Sequence, residues 1–112
     1  RYVAKAIKTD KPNILIAQID DKIAGFITFE KSKEKYSDTN IKETGLINEL
    51  LVTENYRGKG VGMELMKVAE QYFKGLGLQY VKLECSSYNS SALSFYDHLG
   101  YKNRQSLLYK KL

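Results

Sequence analysis

Residues 55–65 read NYRGKGVGMEL, a stretch suited to holding an anion. Gly58, Gly60 and Gly62 alternate there with Lys59, and Arg57 precedes them. Glycine lets a ligand approach the backbone closely and permits positive φ. Free N–H groups at the start of a helix attract phosphate, and the two cationic side chains can add charge-assisted hydrogen bonds. The stretch therefore predicts a phosphate site, and its chemistry suits a pyrophosphate.

Two common phosphate-binding loops do not fit this stretch. A Walker A motif would need Lys and then Ser or Thr after its last glycine, whereas Met63 and Glu64 follow Gly62. The dinucleotide fingerprint G-x-G-x-x-G starts at Gly58 but fails at Met63. A third pattern, [RQ]-x-x-G-x-[GA], is filled by Arg57, Gly60 and Gly62. A glycine-rich connection that binds nothing remains the alternative.

A second group of residues, Tyr88 to Lys102, reads YNSSALSFYDHLGYK. Asn89 follows a predicted strand, and Tyr96 lies seven residues later on a predicted helix that Gly100 ends. Positions 92, 95, 96 and 99 form one apolar stripe of that helix, so Tyr96 is also readable as a core aromatic.

The elements that must position these residues follow from periodicity. Apolar runs predict strands at 14–20, 23–31, 44–52 and 80–86, with a turn at 20–22. Spacings of three and four predict a helix from Val61 that Gly75 and Gly77 end, and a second helix from Ser90. Residues 2–8 read as the end of a helix, 32–43 as a loop, and 105–112 as a strand closing an antiparallel pair. The predicted order is β-β-β-α-β-α-β, a mixed α/β class with a right-handed crossover in the middle.

Composition narrows the class of protein. The 112 residues suit one domain, 1–112, and 43% of them are hydrophobic. Lys and Arg exceed Asp and Glu by 18 to 13, which favours an anionic partner, but the basic residues are dispersed. The nine tyrosines form no aromatic–basic ladder, which argues against nucleic-acid binding.

One Cys and one His predict neither a disulfide framework nor a zinc site. Without a visible signal peptide or an apolar run long enough for a membrane span, we expect a cytoplasmic protein.

Taken together, YNSSALSFYDHLGYK and the earlier ELLVTENYRGKGVG resemble the GNAT superfamily of N-acetyltransferases over roughly residues 14–105. The resemblance implies a mixed central sheet with antiparallel N-terminal strands and a splayed parallel pair, flanked by helices. The usual N-terminal strand and first helix are not evident, and the chain begins at Arg1. We therefore expect an N-terminally truncated fragment, with part of the acceptor pocket absent.

The resemblance also implies acetyl-CoA as cosubstrate, with no metal. It would lie between strands 46–52 and 80–86, and a bulge in the first strand would free backbone amides for the thioester and the pantetheine arm. By position, these amides belong to Leu50, Leu51 and Val52. Asn89 would contact the pantetheine arm. The pyrophosphate would bind Arg57 and the loop and helix amides of Gly58, Lys59, Gly60, Val61, Gly62 and Met63.

The implied reaction is direct acetyl transfer to an amine, which needs a base for the amine and an acid for the leaving thiolate. Tyr96 matches the family's usual acid. Glu84 lies where the ribosomal-protein alanine acetyltransferases have their base, and Glu49 lies in the other strand beside the acetyl site. Either glutamate could instead face solvent, and many relatives work through a water chain. His98, at a helix end, and Cys85, in a strand, read as local or packing residues.

The expected function is therefore acetyl transfer from acetyl-CoA to a primary amine of a small molecule or a protein. Two alternatives stay open: a domain that binds acyl-CoA as a sensor without catalysis, and a module that binds nucleic acid or protein. The residues do not identify the acceptor. A monomer and a homodimer are equally compatible with the sequence.

Overall fold

The described residues form a five-stranded sheet with strands in the order β1-β2-β3-β4-β5. A computed structural model describes residues 13–33, 43–86, 89–104 and 108–112, together with the backbone of 2–7. The strands are β1 (Tyr2–Ile7), β2 (Asn13–Ile19), β3 (Lys22–Lys33), β4 (Glu43–Val52) and β5 (Val81–Lys82). The helices are α1 (Val61–Gly75) and α2 (Ser90–His98), and a short 3₁₀ turn covers Glu54–Tyr56.

The first four strands are antiparallel, and β4 and β5 form the parallel pair. The predicted mixed α/β class with antiparallel N-terminal strands is therefore confirmed. The turn between β2 and β3 also lies where it was predicted, because Asp20 and Asp21 both have positive φ, 51° and 64°. Two such residues in succession make the turn that matches the twist of a tight hairpin, and Asp tolerates this conformation better than most side chains.

Several predicted boundaries were wrong. Residues 2–7 are a strand, not the end of a helix, and all six pair with β2. β3 extends to Lys33 and β4 begins at Glu43, so both ends of the predicted loop 32–43 belong to strands, while 34–42 lie outside the described residues. β5 covers only 81–82 of the predicted 80–86. No strand forms at 108–112, and 105–107 lie outside the described residues.

The core lies between one face of the sheet and α1. Its helical members recur at the predicted spacing, because Val61, Leu65, Met66, Ala69 and Phe73 are all buried. The sheet contributes the buried apolar residues Leu15, Ala17, Ala24, Ile27, Phe29 and Ile47. The rings of Tyr72 and Phe73 contact Phe29 edge to face, at centroid distances of 5.3 and 5.6 Å. This packing fixes α1 across β3 and β4, and so fixes where the helix begins.

Gly45 is the point of closest approach between β4 and α1. A Cβ atom at Gly45 would lie 2.4 to 2.6 Å from three atoms of the Phe73 ring, which is 1% exposed. Gly45→Ala is therefore expected to lower the free energy of unfolding by about 3 kcal/mol, the upper end of overpacking costs, because the buried ring has nowhere to move. Urea denaturation measures the change.

Gly75→Ala is the matched control for this substitution. Gly75 ends α1, and a Cβ there would meet nothing within 4 Å. Because alanine is the better helix former, this variant should be neutral or up to about 1 kcal/mol more stable. Equal stability changes for the two alanine variants would contradict the close packing of Gly45 on Phe73.

Candidate active site

A β-bulge in β4 sets the direction of its central side chains. Thr28 pairs with Glu49 and Phe29 pairs with Ile47, so Asn48 is the extra residue. Its side-chain amide donates to the Glu30 carboxylate at 3.0 Å. Strict alternation would put Glu49 on the core face with Ile47, whereas the bulge shifts the pattern by one residue and turns Glu49 away from the core. Leu50 faces the core in its place, opposite the buried Ile27.

β4 and the chain after β5 diverge and leave a cleft. The parallel ladder holds only Gly45 with Val81 and Leu46 with Lys82. Beyond it lies a cavity of about 330 Å³. Its lining comes from one stretch of β4, the chain beyond β5 and the first half of α2: Ile47, Asn48, Glu49, Leu50, Leu51, Leu83, Glu84, Cys85, Ser86, Asn89, Ala92 and Tyr96.

Most of the predicted acetyl-site residues meet in this cleft. Tyr96, Glu84 and Glu49 line it together, and so do Leu50, Leu51 and Asn89. Val52 does not. Its carbonyl accepts a hydrogen bond from the Arg57 Nε at 3.0 Å, which ties the end of β4 to the start of the glycine loop. Among the described lining residues, the only charged side chains are the two glutamates.

The glycine loop leads directly into α1. Gly58 and Gly60 have φ of 75° and 83°, and a Cβ at either would meet nothing within 4 Å. Gly60 is the N-cap of α1 and supplies no side-chain cap, so the first amides of the helix have no intrahelical partner. Positive φ therefore explains two of the glycines. The open space in front of them suits a bulky anion.

The third glycine is not required by its surroundings, and the two cations of the loop are partly engaged. A Cβ at Gly62 would lie 3.4 Å from the Phe95 ring and 3.5 Å from Val52, which is ordinary van der Waals contact, and no positive φ is needed there. Lys59 places its ammonium 5.7 Å from the ring centroid of Tyr56, within cation–π range. Both Arg57 and Lys59 remain exposed.

Tyr96 is half-buried at the cleft. Its ring packs edge to face against Phe95 and Tyr101, at centroid distances of 5.2 and 5.9 Å. Burial, and then the nearby Cys85 thiol, raise the pKa of the Tyr96 phenol above its ordinary value. The hydroxyl therefore keeps its proton throughout the neutral range and is available there as a donor.

The turn after α2 brings Tyr101 onto Tyr96. The amide of Tyr101 donates to the Tyr96 carbonyl and the amide of Gly100 to the Asp97 carbonyl, both at 3.0 Å, while Gly100 has φ of 95°. This is a Schellman motif, in which the residue after the glycine commonly packs on the helix. The Tyr101 hydroxyl donates to the Glu70 carboxylate of α1 at 2.5 Å. The sequence placed Gly100 and Tyr101 at the end of the helix but gave no role to Tyr101 or Glu70.

The Tyr101 contacts predict a loss of stability at high pH. Burial and then the hydrogen bond to Glu70 raise the pKa of Tyr101, whereas a tyrosine of the unfolded chain titrates near its ordinary value of 10.0. Because the folded protein holds a proton that the unfolded chain releases, this contribution is intact below about pH 10 and is lost as the pH rises further. Urea denaturation between pH 9 and 11 should show a steeper loss in the wild type than in Tyr101→Phe. Since the side chain is partly solvated, the difference should stay below about 1.4 kcal/mol per pH unit. Parallel slopes would contradict the assignment.

Asn89, His98 and Cys85 have local contacts. Asn89 is the N-cap of α2, and its side-chain oxygen accepts from the Ala92 amide at 3.0 Å. The His98 Nδ1 lies 2.8 Å from the Ser94 carbonyl oxygen, one turn back in α2, and donates to it in the Nδ1–H tautomer. The Cys85 Sγ lies 3.7 Å from the Ser86 carbonyl oxygen.

The described ranges hold no group of three or more His, Cys, Asp or Glu placed for a metal ion. They also hold no helix with the length and apolar character to cross a bilayer.

The similarity to known proteins covers most of the chain. Residues 2–101 match the sequence model of the Acetyltransferase (GNAT) family. An uncharacterized N-acetyltransferase of Archaeoglobus fulgidus is 30% identical over 95 residues, which are 85% of this chain and 63% of that protein. The chain spans 45% to 66% of the length of three curated relatives.

Solved structures show the same fold. A mutant of the BH1408 protein from Bacillus halodurans superposes with a TM-score of 0.84 at 22% identity, over 94% of this chain and 68% of that one. The aminoglycoside N-acetyltransferase AAC(6')-Iy, in complex with CoA, superposes with a TM-score of 0.80 at 17% identity, over 93% and 78%. The bulged β4, the diverging parallel strands and the match over residues 2–101 lead to one conclusion: the chain belongs to the GNAT family of acetyltransferases.

Proposed function

We propose that this chain transfers an acetyl group from acetyl-CoA to a primary amine in the cleft between β4 and the segment 83–86. The observation that carries the proposal is the meeting of Tyr96, Glu49 and Glu84 around one cavity. Their types match the acid and base that amine acetylation requires. The bulge at Asn48 supports the proposal, because it turns Glu49 towards that cavity.

Acetyl-CoA would enter with its pyrophosphate on the glycine loop and its thioester in the cleft. The loop offers the unpaired first amides of α1, open space beside Gly58 and Gly60, and the exposed cations Arg57 and Lys59. Leu50 and Leu51 line the cleft. The amides of Leu50 and Val52 are the proposed donors to the thioester carbonyl and the pantetheine arm, because amides alternate in direction along a strand and the Thr53 amide, like that of Leu51, faces β3. Because the Asn89 oxygen already caps α2, its side-chain NH₂ is the group left for the pantetheine arm.

The reaction we propose is a direct attack of the amine nitrogen on the thioester carbonyl carbon. The C–N bond forms as the C–S bond breaks, and negative charge moves to the carbonyl oxygen and then to sulfur. Backbone donors near Leu50 to Val52 would stabilise the oxyanion. The Tyr96 hydroxyl would protonate the departing thiolate, and a cleft carboxylate would take the proton that the amine loses.

The charge of the cleft supports a cationic amine as acceptor. The chain as a whole carries a formal net charge of +5, yet Glu49 and Glu84 are the only charged side chains among the described lining residues. An ammonium group approaching the cleft would therefore be attracted, whereas a carboxylate beside the amine would be repelled. We propose primary amines without a neighbouring acid group as the acceptor class.

A thiol-release assay with acetyl-CoA and a panel of amines tests the proposed function. We expect turnover with cationic amines, and one of the variants Glu49→Gln and Glu84→Gln should lower kcat by about 100-fold, the usual contribution of a general base. Glu43→Gln is the matched control, because Glu43 lies in β4 outside the cleft and pairs with Lys31 at 3.1 Å.

Two results would change the proposal. If both cleft variants keep wild-type kcat, neither Glu49 nor Glu84 is by itself the required base. If acetyl-CoA binds but no amine of a broad panel releases thiol, the alternative of an acyl-CoA sensor is favoured.

A further inference from the structure

Tyr101 packs against Tyr96 but does not line the cleft. The two rings contact edge to face, and the Tyr101 amide donates to the Tyr96 carbonyl at 3.0 Å. Tyr96 lines the cavity and Tyr101 does not. Any movement of the Tyr101 ring would therefore open space beside the Tyr96 ring, which is half-buried and depends on its neighbours for its orientation.

A hydrogen bond to α1 holds the Tyr101 ring in this place. Its hydroxyl donates to the Glu70 carboxylate at 2.5 Å, across 31 positions of sequence. Hydrogen bonds to a charged acceptor are about twice as strong as neutral ones, and this one is partly buried. Glu70 belongs to the same helix whose first turn borders the glycine loop, and Phe73 anchors that helix in the core.

We propose that Tyr101 is a positioning residue that, held by Glu70, keeps the Tyr96 hydroxyl aimed into the cleft. The inference rests on the proposed role of Tyr96 as the acid. Neither Tyr101 nor Glu70 touches the cavity, so both act through the Tyr96 ring. Misplacing a reacting group by about 1 Å can cost up to about 100-fold in rate. The Tyr101–Glu70 hydrogen bond can therefore affect turnover although neither residue contacts the substrate.

A double-mutant cycle in kcat tests this role. Tyr101→Phe keeps the ring but removes the hydrogen bond, and we expect kcat to fall about 5- to 10-fold while the KM for acetyl-CoA stays within about twofold. In the Tyr96→Phe background the same change should have no further effect, because its target hydroxyl is gone. Glu70→Leu should reproduce Tyr101→Phe. Tyr72→Phe is the matched control, since the Tyr72 ring also packs edge to face and belongs to α1.

Additive effects of Tyr101→Phe and Tyr96→Phe on kcat would overturn the inference and leave Tyr101 a purely structural residue. So would a wild-type kcat in Tyr101→Phe. These outcomes are distinct from failure of the proposed function, in which the wild type itself releases no thiol with any amine.

NMR of protein with ¹³C in its tyrosine rings decides the positioning claim without activity. The Tyr96 signals are those that disappear in Tyr96→Phe. In Tyr101→Phe and Glu70→Leu they should move towards the shifts of an exposed tyrosine, while Tyr72→Phe leaves them in place. Unchanged Tyr96 signals in both test variants would refute the positioning role of Tyr101 and Glu70, whether or not the wild type is active.

Discussion

Gly60→Glu is expected to weaken acetyl-CoA binding by about 100-fold or more, equivalent to about 2.7 kcal/mol. Gly60 caps α1, and a Cβ there would meet nothing within 4 Å. A glutamate there would place a bulky anion where we propose that the pyrophosphate binds, so sterics and charge act in the same direction. Calorimetric titration of both proteins with acetyl-CoA measures the loss.

Gly77→Glu is the matched control for this substitution. Gly77 has φ of 81°, and a Cβ there would meet nothing within 4 Å, so the same side chain meets the same backbone strain. It follows the other end of α1, a helix of 15 residues and therefore about 22 Å long. Both variants should lose about 1–2 kcal/mol of stability. Equal losses of acetyl-CoA affinity in the two variants would indicate a general effect of strain and contradict a phosphate site at the loop.

Tyr96→Phe is expected to lower kcat by about 100-fold, the usual scale for one general acid. Because the ring and its contacts with Phe95 and Tyr101 remain, the KM for acetyl-CoA should change little. The pKa of Tyr96 is raised by burial and by Cys85, so loss of its proton should not limit activity between pH 6 and about 9.5. Steady-state thiol release over that pH range measures both quantities.

A kcat for Tyr96→Phe within threefold of the wild type would show that Tyr96 is only a packing residue. The structure would then need another donor for the leaving thiolate. Cys85 is the neighbouring titratable group in the cleft, and Cys85→Ser would be the next variant to assay. Tyr72→Phe again controls for the loss of a tyrosine hydroxyl outside the cleft.

The elements with a strong local signal were predictable from sequence. α1 begins at Val61 and its buried face repeats at three and four residues, as predicted. The turn at Asp20 and Asp21 was equally predictable from the sequence. β1 was not, because YVAKAI contains good helix formers and its strand conformation comes from pairing with β2. β5 is shorter than its apolar run because β4 diverges from it beyond Leu46.

The site was harder to predict than the elements. INELLV alternates so that Glu49 would share a face with Ile47, and one bulged residue reverses this. The local sequence gives no signal for such a bulge, which was predicted only from the resemblance to GNAT proteins. The Tyr101–Glu70 hydrogen bond joins residues 31 positions apart, so only tertiary packing brings them together. A tyrosine directly after the helix-ending Gly100 was the one available signal.

A map of amide shifts when CoA is added to ¹⁵N-labelled protein tests the proposed cosubstrate site most directly. We predict the largest shifts at the amides of Leu50 to Val52 and of Val61 to Met63, with Asn89 also affected. The amides of Gly75 and Gly77, at the far end of α1, should stay unchanged. Saturating shifts confined to residues outside the cleft and the glycine loop, or no shifts at all, would contradict the proposed cosubstrate site.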